Sequence, residues 1–381
     1  MNYKKYFPAA QNKIYFDSAA LALKPQIAID ALIDYYSNIS ISSRTADTPL
    51  GNLVNTKIES VRNKVAKLLD ASKNEIIFTS GTTESLNYFA NMIESLITSE
   101  DEILVSAYNH SSNIIPWIEL SKKNKAKIKI VENILENITF KTKLIALSQE
   151  TNNFNHQENL EHIWEKALQY NIFVINDAAQ SVVHQKCSLK YAHAIVFSCN
   201  KFYGPTGMGV LAIQEQLLKK LKPTKFGGGA TNQITTDNKW LIKNTIIRFE
   251  PGTPDLGGFF MFDKSLDFFN EIGYEKTQHI LKKLSLYLHD QLASLKNIEI
   301  FSKPGDYIAL INVKNINPQD VATYLGTKNI YTIAGIFCAH YLRNFKHTYS
   351  YLRISLGIYN TKEDIDLLIN ELKNGGDFYG F

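Results

Sequence analysis

Cysteine is scarce in this 381-residue chain. There are three, Cys187, Cys199 and Cys338, an odd number and widely spaced. That excludes a disulfide framework and a metal-ligand pattern. It makes a reducing cytoplasm the expected setting, where a thiol stays free to react. Charge of one sign is also lacking: 41 Lys and Arg against 37 Asp and Glu leave a formal net charge of +4. This is too little for the length to argue for nucleic acid. The short basic runs Lys122-Lys123-Asn124-Lys125 and Lys219-Lys220 read as solvated helix ends. No stretch is long and apolar enough to span a bilayer. The first eight residues lack the apolar core and small-residue cleavage site of a secretory signal. No internal repeat or low-complexity segment is visible. What remains, 45% hydrophobic and 20% charged residues, is the composition of a soluble globular protein with one large domain and one smaller one.

Short apolar runs punctuate the chain at strand length: Glu75 to Thr79, Ile103 to Ser106, Lys127 to Val131, Lys143 to Leu147, Phe173 to Asp177, Ala194 to Phe197 and Val210 to Ile213. Helical spacing lies between them, at 53–69, from Thr83 to Ile93, after Asn113 and from Glu158 to Tyr170. Such alternation predicts an α/β fold with a largely parallel sheet covered by helices on both faces. Pro25 opens a further helix, and the polar stretch from Ser40 to Asn52 reads as a loop. Residues 256–272 and 274–295 read as two helices. Beyond them the composition shifts to short strands and helices, which places a domain boundary near residue 260.

Lys201 sits just past the buried run Ala194 to Phe197, three residues after Ser198 and before a glycine-rich turn. A lysine at a buried strand end loses hydration, so its amine is more easily neutral and able to attack a carbonyl. Alone, it would be read as a solvated loop lysine. The acid upstream changes the weighing: Asp177 closes another buried strand. An Asp for a pyridinium nitrogen and a Lys for an aldehyde carbon are what pyridoxal phosphate (PLP) requires. Ser80-Gly81-Thr82-Thr83-Glu84, between a strand and a helix, is an anion site as well as a helix cap, because free N–H groups and the helix dipole meet there.

The ordered set Asp177-Ala178-Ala179-Gln180, then Ser198-x-x-Lys201-x-Tyr203-Gly204-Pro205, resembles the class V aminotransferase family, most of all its cysteine desulfurases of the sulfur-mobilisation type. The resemblance runs from about Tyr15 to Leu372. Ser-x-x-Lys by itself also occurs in serine acylases, so the order of motifs carries the match. It implies fold type I of the PLP enzymes, a large domain (15–260) with a mostly parallel seven-stranded sheet and a smaller α+β domain (261–381) against which residues 1–14 pack. It further implies PLP on Lys201 and His110 stacked on the ring. Asn152 and Gln180 would meet the phenolic oxygen. Thr82, Thr83, Ser198 and Asn200 would lie around the phosphate. Thr253, in Arg248 to Asp255, would reach the cofactor of a partner subunit, hence a homodimer with shared sites. Arg353 would grip the substrate carboxylate.

Cys338, in Gly335-Ile336-Phe337-Cys338-Ala339-His340, decides between reactions. A free cysteine is usually a small buried apolar residue. The family, however, places its nucleophile in such a segment, on a mobile loop, where a thiolate takes sulfur from L-cysteine and passes it to an acceptor protein. The alternatives are a selenocysteine lyase or another class V aminotransferase with Cys338 incidental, and a partner-binding protein without activity; intact Lys201, Asp177 and Arg353 argue against the last. Several positions depart from the family pattern. Ser111 replaces a second His, Asn200 a His before the lysine, Ile333 an Arg, and Ile336-Phe337 a polar pair. The apolar pair predicts a raised thiol pKa.

Overall fold

The computed structural model describes residues 3–45 and 47–374. Seven strands form the main sheet: β1 (Ile76–Thr79), β2 (Glu102–Ser106), β3 (Lys127–Val131), β4 (Thr142–Ser148), β5 (Phe173–Asp177), β6 (Ala194–Ser198) and β7 (Gly209–Ile213). Their order is β1-β7-β6-β5-β4-β2-β3. Only β7 runs against its neighbours; the pairs from β6 to β3 are parallel. The run Leu144 to Leu147 is fully buried, as a strand covered on both faces must be. Helices Thr82–Ile93, Ile115–Asn124 and Leu160–Tyr170 flank the sheet. β7 starts hard against the turn after β1: a Cβ on Gly209 would lie 2.5 Å from the Gly81 Cα, so only glycine fits.

The long helix Leu256–Ala293 breaks at Gly273, where φ is 75°, in agreement with the two helices read from the sequence. Its hydrophobic partners change there. Phe259, Phe262, Leu266 and Phe269 pack with the core under the large sheet, whereas Leu281, Leu284, Leu288 and Leu292 pack with a second core that includes Phe16, Ile308 and Leu352. That second core lies against an antiparallel sheet of β8 (Ile298–Ile300), β9 (Ile308–Val313), β10 (Ile333–Gly335) and β11 (Tyr351–Ser355), in the order β8-β9-β11-β10. The N-terminal segment joins it: Ile14–Tyr15 pairs in parallel with Ile330–Tyr331, and Ser355 N–H donates to the Phe16 carbonyl at 2.7 Å.

The end of one expected loop, Ser40 to Asn52, is helical. The helix expected from Leu53 begins at Pro49, with Pro in its first turn and the Thr48 hydroxyl accepting from Gly51 N–H. Pro at that position loses no helical hydrogen bond, and this signal outweighs the polar composition. Residues after Gly229 form a hairpin, Thr231–Ile234 with Trp240–Ile242. No described helix is long and apolar enough to cross a membrane.

Arg62, 1% exposed, is the strongest polar tie in the large unit. Its guanidinium meets both Glu250 oxygens at 2.8 Å and the Ile76 carbonyl at 2.6 Å, and Glu250 also accepts from Phe78 N–H at 2.7 Å. Glu250→Ala strands a buried cation, so it should lower stability by about 3–5 kcal/mol. Adding Arg62→Met should recover part of that loss. Urea midpoints of the two variants check this, and a double variant no better than the single would show that the stranded charge is not the cause.

Candidate active site

The carboxyl ends of the parallel strands carry the chemistry, as α/β sheets generally arrange it. Asp177 and Ser198 end β5 and β6. Gly81-Thr82 follows β1, His110 follows β2, Asn152 follows β4, and Lys201 closes the 3-10 turn Cys199–Lys201 after β6. One cleft of about 320 Å³ is lined by Thr82, Thr83, His110, Asn152, Asp177, Gln180, Ser198, Asn200, Lys201, Cys338 and Arg353. Thr253 is the one sequence-predicted residue that the fold keeps out of this cleft. It lines a separate and larger one, with Arg44, Glu84 and Lys225.

Burial sets the charges. It pushes the Lys201 amine down to about 8, with Asp177 opposing the shift. It pushes the Asp177 carboxyl up to about 6, against a hydrogen bond from Ala179 N–H and the charge of Lys201. It lowers His110 to about 4, helped by Lys201. His110 is therefore a neutral ring near pH 7. Its Nδ1 accepts from Ser112 N–H at 3.1 Å, so its proton sits on Nε2.

Ser198 Oγ stands 2.8 Å from both Thr82 N and Thr82 Oγ1, and Thr83 Oγ1 is 2.8 Å from Ser112 Oγ. Hydroxyls and N–H groups thus converge on the start of helix Thr82–Ile93, a place suited to an anion. Gln180 donates to the Ala19 carbonyl at 2.8 Å and accepts from the Tyr307 hydroxyl at 2.9 Å, which leaves one amide N–H for another acceptor. Asn152 spends its amide within the chain, donating to the Phe337 carbonyl at 2.9 Å. Asn200 contributes its carbonyl, which accepts from Lys24 Nζ at 2.7 Å.

Arg353 is the group with the most ties. It is 1% exposed. Nη2 meets Asp17 Oδ1 at 2.7 Å and Nη1 donates to the Asn152 carbonyl at 3.0 Å. The Phe337 ring lies 4.6 Å from the guanidinium. Among the described residues, Nε has no hydrogen-bond partner. Of five N–H groups, two are committed, so the fork can still take a carboxylate.

Sequence reasoning missed Asp17 as the partner of Arg353 and Lys24 as the tie on the Lys201 turn. Asp17 and Arg353 lie 336 residues apart, and nothing along the chain marks them as a pair. The Cys338 segment also differs from expectation. Ile336, Phe337 and Ala339 are buried while Cys338 is exposed, so the apolar pair does not enclose the thiol. The segment is a tight turn with Phe337 and Cys338 both left-handed, at φ 56° and 57°.

These residues fit PLP. Lys201, Asp177 and Gln180 line one cleft, burial pushes the amine down to about 8, and Gln180 keeps one amide N–H for an acceptor. The acid, the neutral ring and the hydroxyl-rich helix start are the donor set that this cofactor needs. The comparisons with known proteins agree. The sequence profile of class-V aminotransferases matches residues 14–368.

The chain belongs to the class-V aminotransferase family.

It is 34% identical to the "Probable cysteine desulfurase" of Ureaplasma parvum, over 98% of this chain and 96% of that one. With its namesake from Staphylococcus aureus strain N315 it shares 32% over 99% and 97%. Among solved structures, the apo cysteine desulfurase from Thermococcus onnurineus superposes with a TM-score of 0.92 at 27% identity, covering 98% and 97% of the two chains. The Escherichia coli cysteine desulfurase CsdA gives 0.91 at 27%, with the same coverage. The seven-stranded sheet and the smaller antiparallel one are the fold type I architecture of this class-V family.

Asp177 gives a pH signature. Its ordinary value of 3.8 rises to about 6 in the fold, so the folded state holds this proton more tightly than the unfolded chain does. Stability is then unaffected below about pH 4, falls as pH rises toward 6, and stays lower above it, by up to about 3 kcal/mol. Asp177→Asn keeps an acceptor for Ala179 N–H without the charge. In cofactor-free protein the variant should be more stable than wild type at pH 7, with the advantage gone near pH 4. Urea midpoints across that range check it; a pH-independent difference would contradict the assignment.

Proposed function

We propose that the chain is a PLP-dependent cysteine desulfurase that converts L-cysteine to L-alanine and leaves the sulfur as a persulfide on Cys338. The observation that carries this reading is the exposed Cys338 thiol lining the same cleft as Lys201 and Arg353. An aminotransferase needs the amine and the guanidinium, and has no use for the thiol.

The residues divide the work by chemistry. Asp177, anionic at neutral pH, would face a ring nitrogen and keep it protonated. His110 would cover the ring as a neutral, apolar face. Thr82, Thr83, Ser198 and the helix N-terminus would hold the phosphate, with Thr253 supplied by a second copy in a homodimer. When bound, PLP supplies an electron sink for the pair left on the substrate's α-carbon. Arg353 holds the substrate carboxylate with its uncommitted N–H groups. Lys201 removes and returns protons at carbon, and an amine near 8 is matched to that task. Cys338, as thiolate, attacks the substrate sulfur. The carbon–sulfur bond breaks, a sulfur–sulfur bond forms, and the electron pair stays with carbon, which is then protonated to alanine. The persulfide sulfur passes to an acceptor protein, with iron–sulfur cluster assembly in the cytoplasm as the setting.

Purified protein incubated with L-cysteine and a thiol reductant should release alanine and sulfide in equal amounts. Lys201→Ala should abolish turnover, and borohydride, which links PLP to wild-type Lys201, should link none at that position. Cys338→Ser should keep cofactor binding and the substrate-induced spectral change while alanine production from L-cysteine falls by a factor on the order of 10² or more. Wild-type alanine production by Cys338→Ser would replace this reading with a class V lyase or selenocysteine lyase in which the thiol is incidental.

A further inference from the structure

The left-handed turn that presents Cys338 is closed by Ala339 N–H on the Ile336 carbonyl at 2.9 Å and is held from across the cleft at two carbonyls, that of Phe337 by Asn152 and that of Cys338 by Ser111. Ser111 N–H donates to the Cys338 carbonyl at 2.7 Å, and Ser111 Oγ donates to the same carbonyl at 2.6 Å. Two consecutive non-glycine residues with positive φ, Phe337 and Cys338, are a costly conformation that persists only where neighbours enforce it. Ser111 also lies 3.0 Å from His340 Nδ1. A hydroxyl has a single proton and the carbonyl can only accept, so that proton goes to Cys338 and His340 Nδ1 must be the donor to Ser111 Oγ. Nδ1–H exists in one neutral tautomer and in the imidazolium, so protonating His340 leaves the link intact.

Ser111 opens the 3-10 turn Ser111–Asn113, whose preceding residue is His110. The short stretch that places the neutral ring in the cleft therefore also places the thiol. Behind the turn, Ile336, Ala339 and Leu342 pack with Tyr108, Phe154 and Phe345, so the segment has an apolar anchor on one side and the Ser111 clamp on the other.

We propose that Ser111, oriented by His340, is a positioning residue that holds the Cys338 carbonyl and so aims the thiol at the reacting sulfur. The proposal rests on the desulfurase reading for its kinetic consequence and on geometry alone for its structural one. Ser111→Ala removes the hydroxyl and leaves the N–H bond, so the fold should survive. In the PLP-loaded enzyme it should lower kcat for alanine from L-cysteine about five- to tenfold, the loss typical of one neutral hydrogen bond. KM and the cofactor absorbance should be unchanged, because Arg353 and Lys201 are untouched. Amide hydrogen exchange across residues 336–342 should quicken. Ser111→Thr, which keeps the hydroxyl, should restore both readouts. His340→Ala should cause a smaller loss and add nothing to Ser111→Ala, as expected for groups acting as one unit.

Wild-type kcat with unchanged exchange in Ser111→Ala, or no rescue by threonine, would overturn the clamp. Additive losses in the double variant would overturn the role of His340. If the wild-type enzyme releases no alanine from L-cysteine, the desulfurase reading fails, while the exchange measurement still decides whether Ser111 holds the turn.

Discussion

A single buried guanidinium joins the parts of this molecule. Arg353 sits in β11 of the small sheet, directly paired with Ile333 in β10 and Leu310 in β9. Its ends reach Asp17 in the N-terminal segment and the Asn152 carbonyl beyond β4 of the large sheet, and the Phe337 ring lies against its centre. A guanidinium this buried needs partners for its charge, and the two that Arg353 has come from separate parts of the chain. The parallel pairing of Ile14–Tyr15 and the backbone bonds of Phe16 bring Asp17 within reach. Burial pushes the Asp17 carboxyl up, and the contact with Arg353 draws it back down. The ion pair at the edge of the cleft and the joining of the two sheets are therefore one feature, and a variant at Arg353 would disturb both.

The second constraint is that the strand ends gather opposite charges in a place where water is scarce. Asp177 and Lys201 each lose hydration, each shifts toward neutrality, and each partly offsets the other's shift. A site tuned in this way suits a cofactor that brings a cation to the acid and a carbonyl to the amine. The neutral His110 follows from the same burial, and the charges of Lys201 and Arg353 push its ring the same way.

Much of this was legible in the sequence, for a physical reason. Strands buried on both faces are apolar runs, so the main sheet could be counted before any pairing was known. Gly273 punctuates the long helix as a residue able to take positive φ. The order of motifs around Asp177 and Lys201 located the strand ends that form the cleft. Asp17 was not legible as the partner of Arg353, because pairing across 336 residues depends on how the N-terminal segment crosses the small sheet. The hairpin after Gly229 was missed for a different reason: its ladder is short and largely exposed. Thr253 lies apart from the cleft within one chain, and sequence alone could not show which surface it lines.

The surroundings of Cys338 show what the fold adds to the chain. Ile336 and Phe337, an apolar pair, pointed to an enclosed thiol. In the fold their side chains turn inward, Ile336 into a small aromatic cluster and Phe337 onto Arg353, and the left-handed backbone at Phe337 and Cys338 turns the thiol outward. Ala339 N–H closes this turn on the Ile336 carbonyl at 2.9 Å, and the strain of two successive left-handed residues that carry a Cβ is offset further by bonds from Asn152 and Ser111 to the Phe337 and Cys338 carbonyls. The polar contacts of this segment come from Ser111 and His340, 227 and two residues from Cys338. An apolar pair along the chain therefore sits beside a polar contact made across the cleft, and only the folded geometry brings the two together.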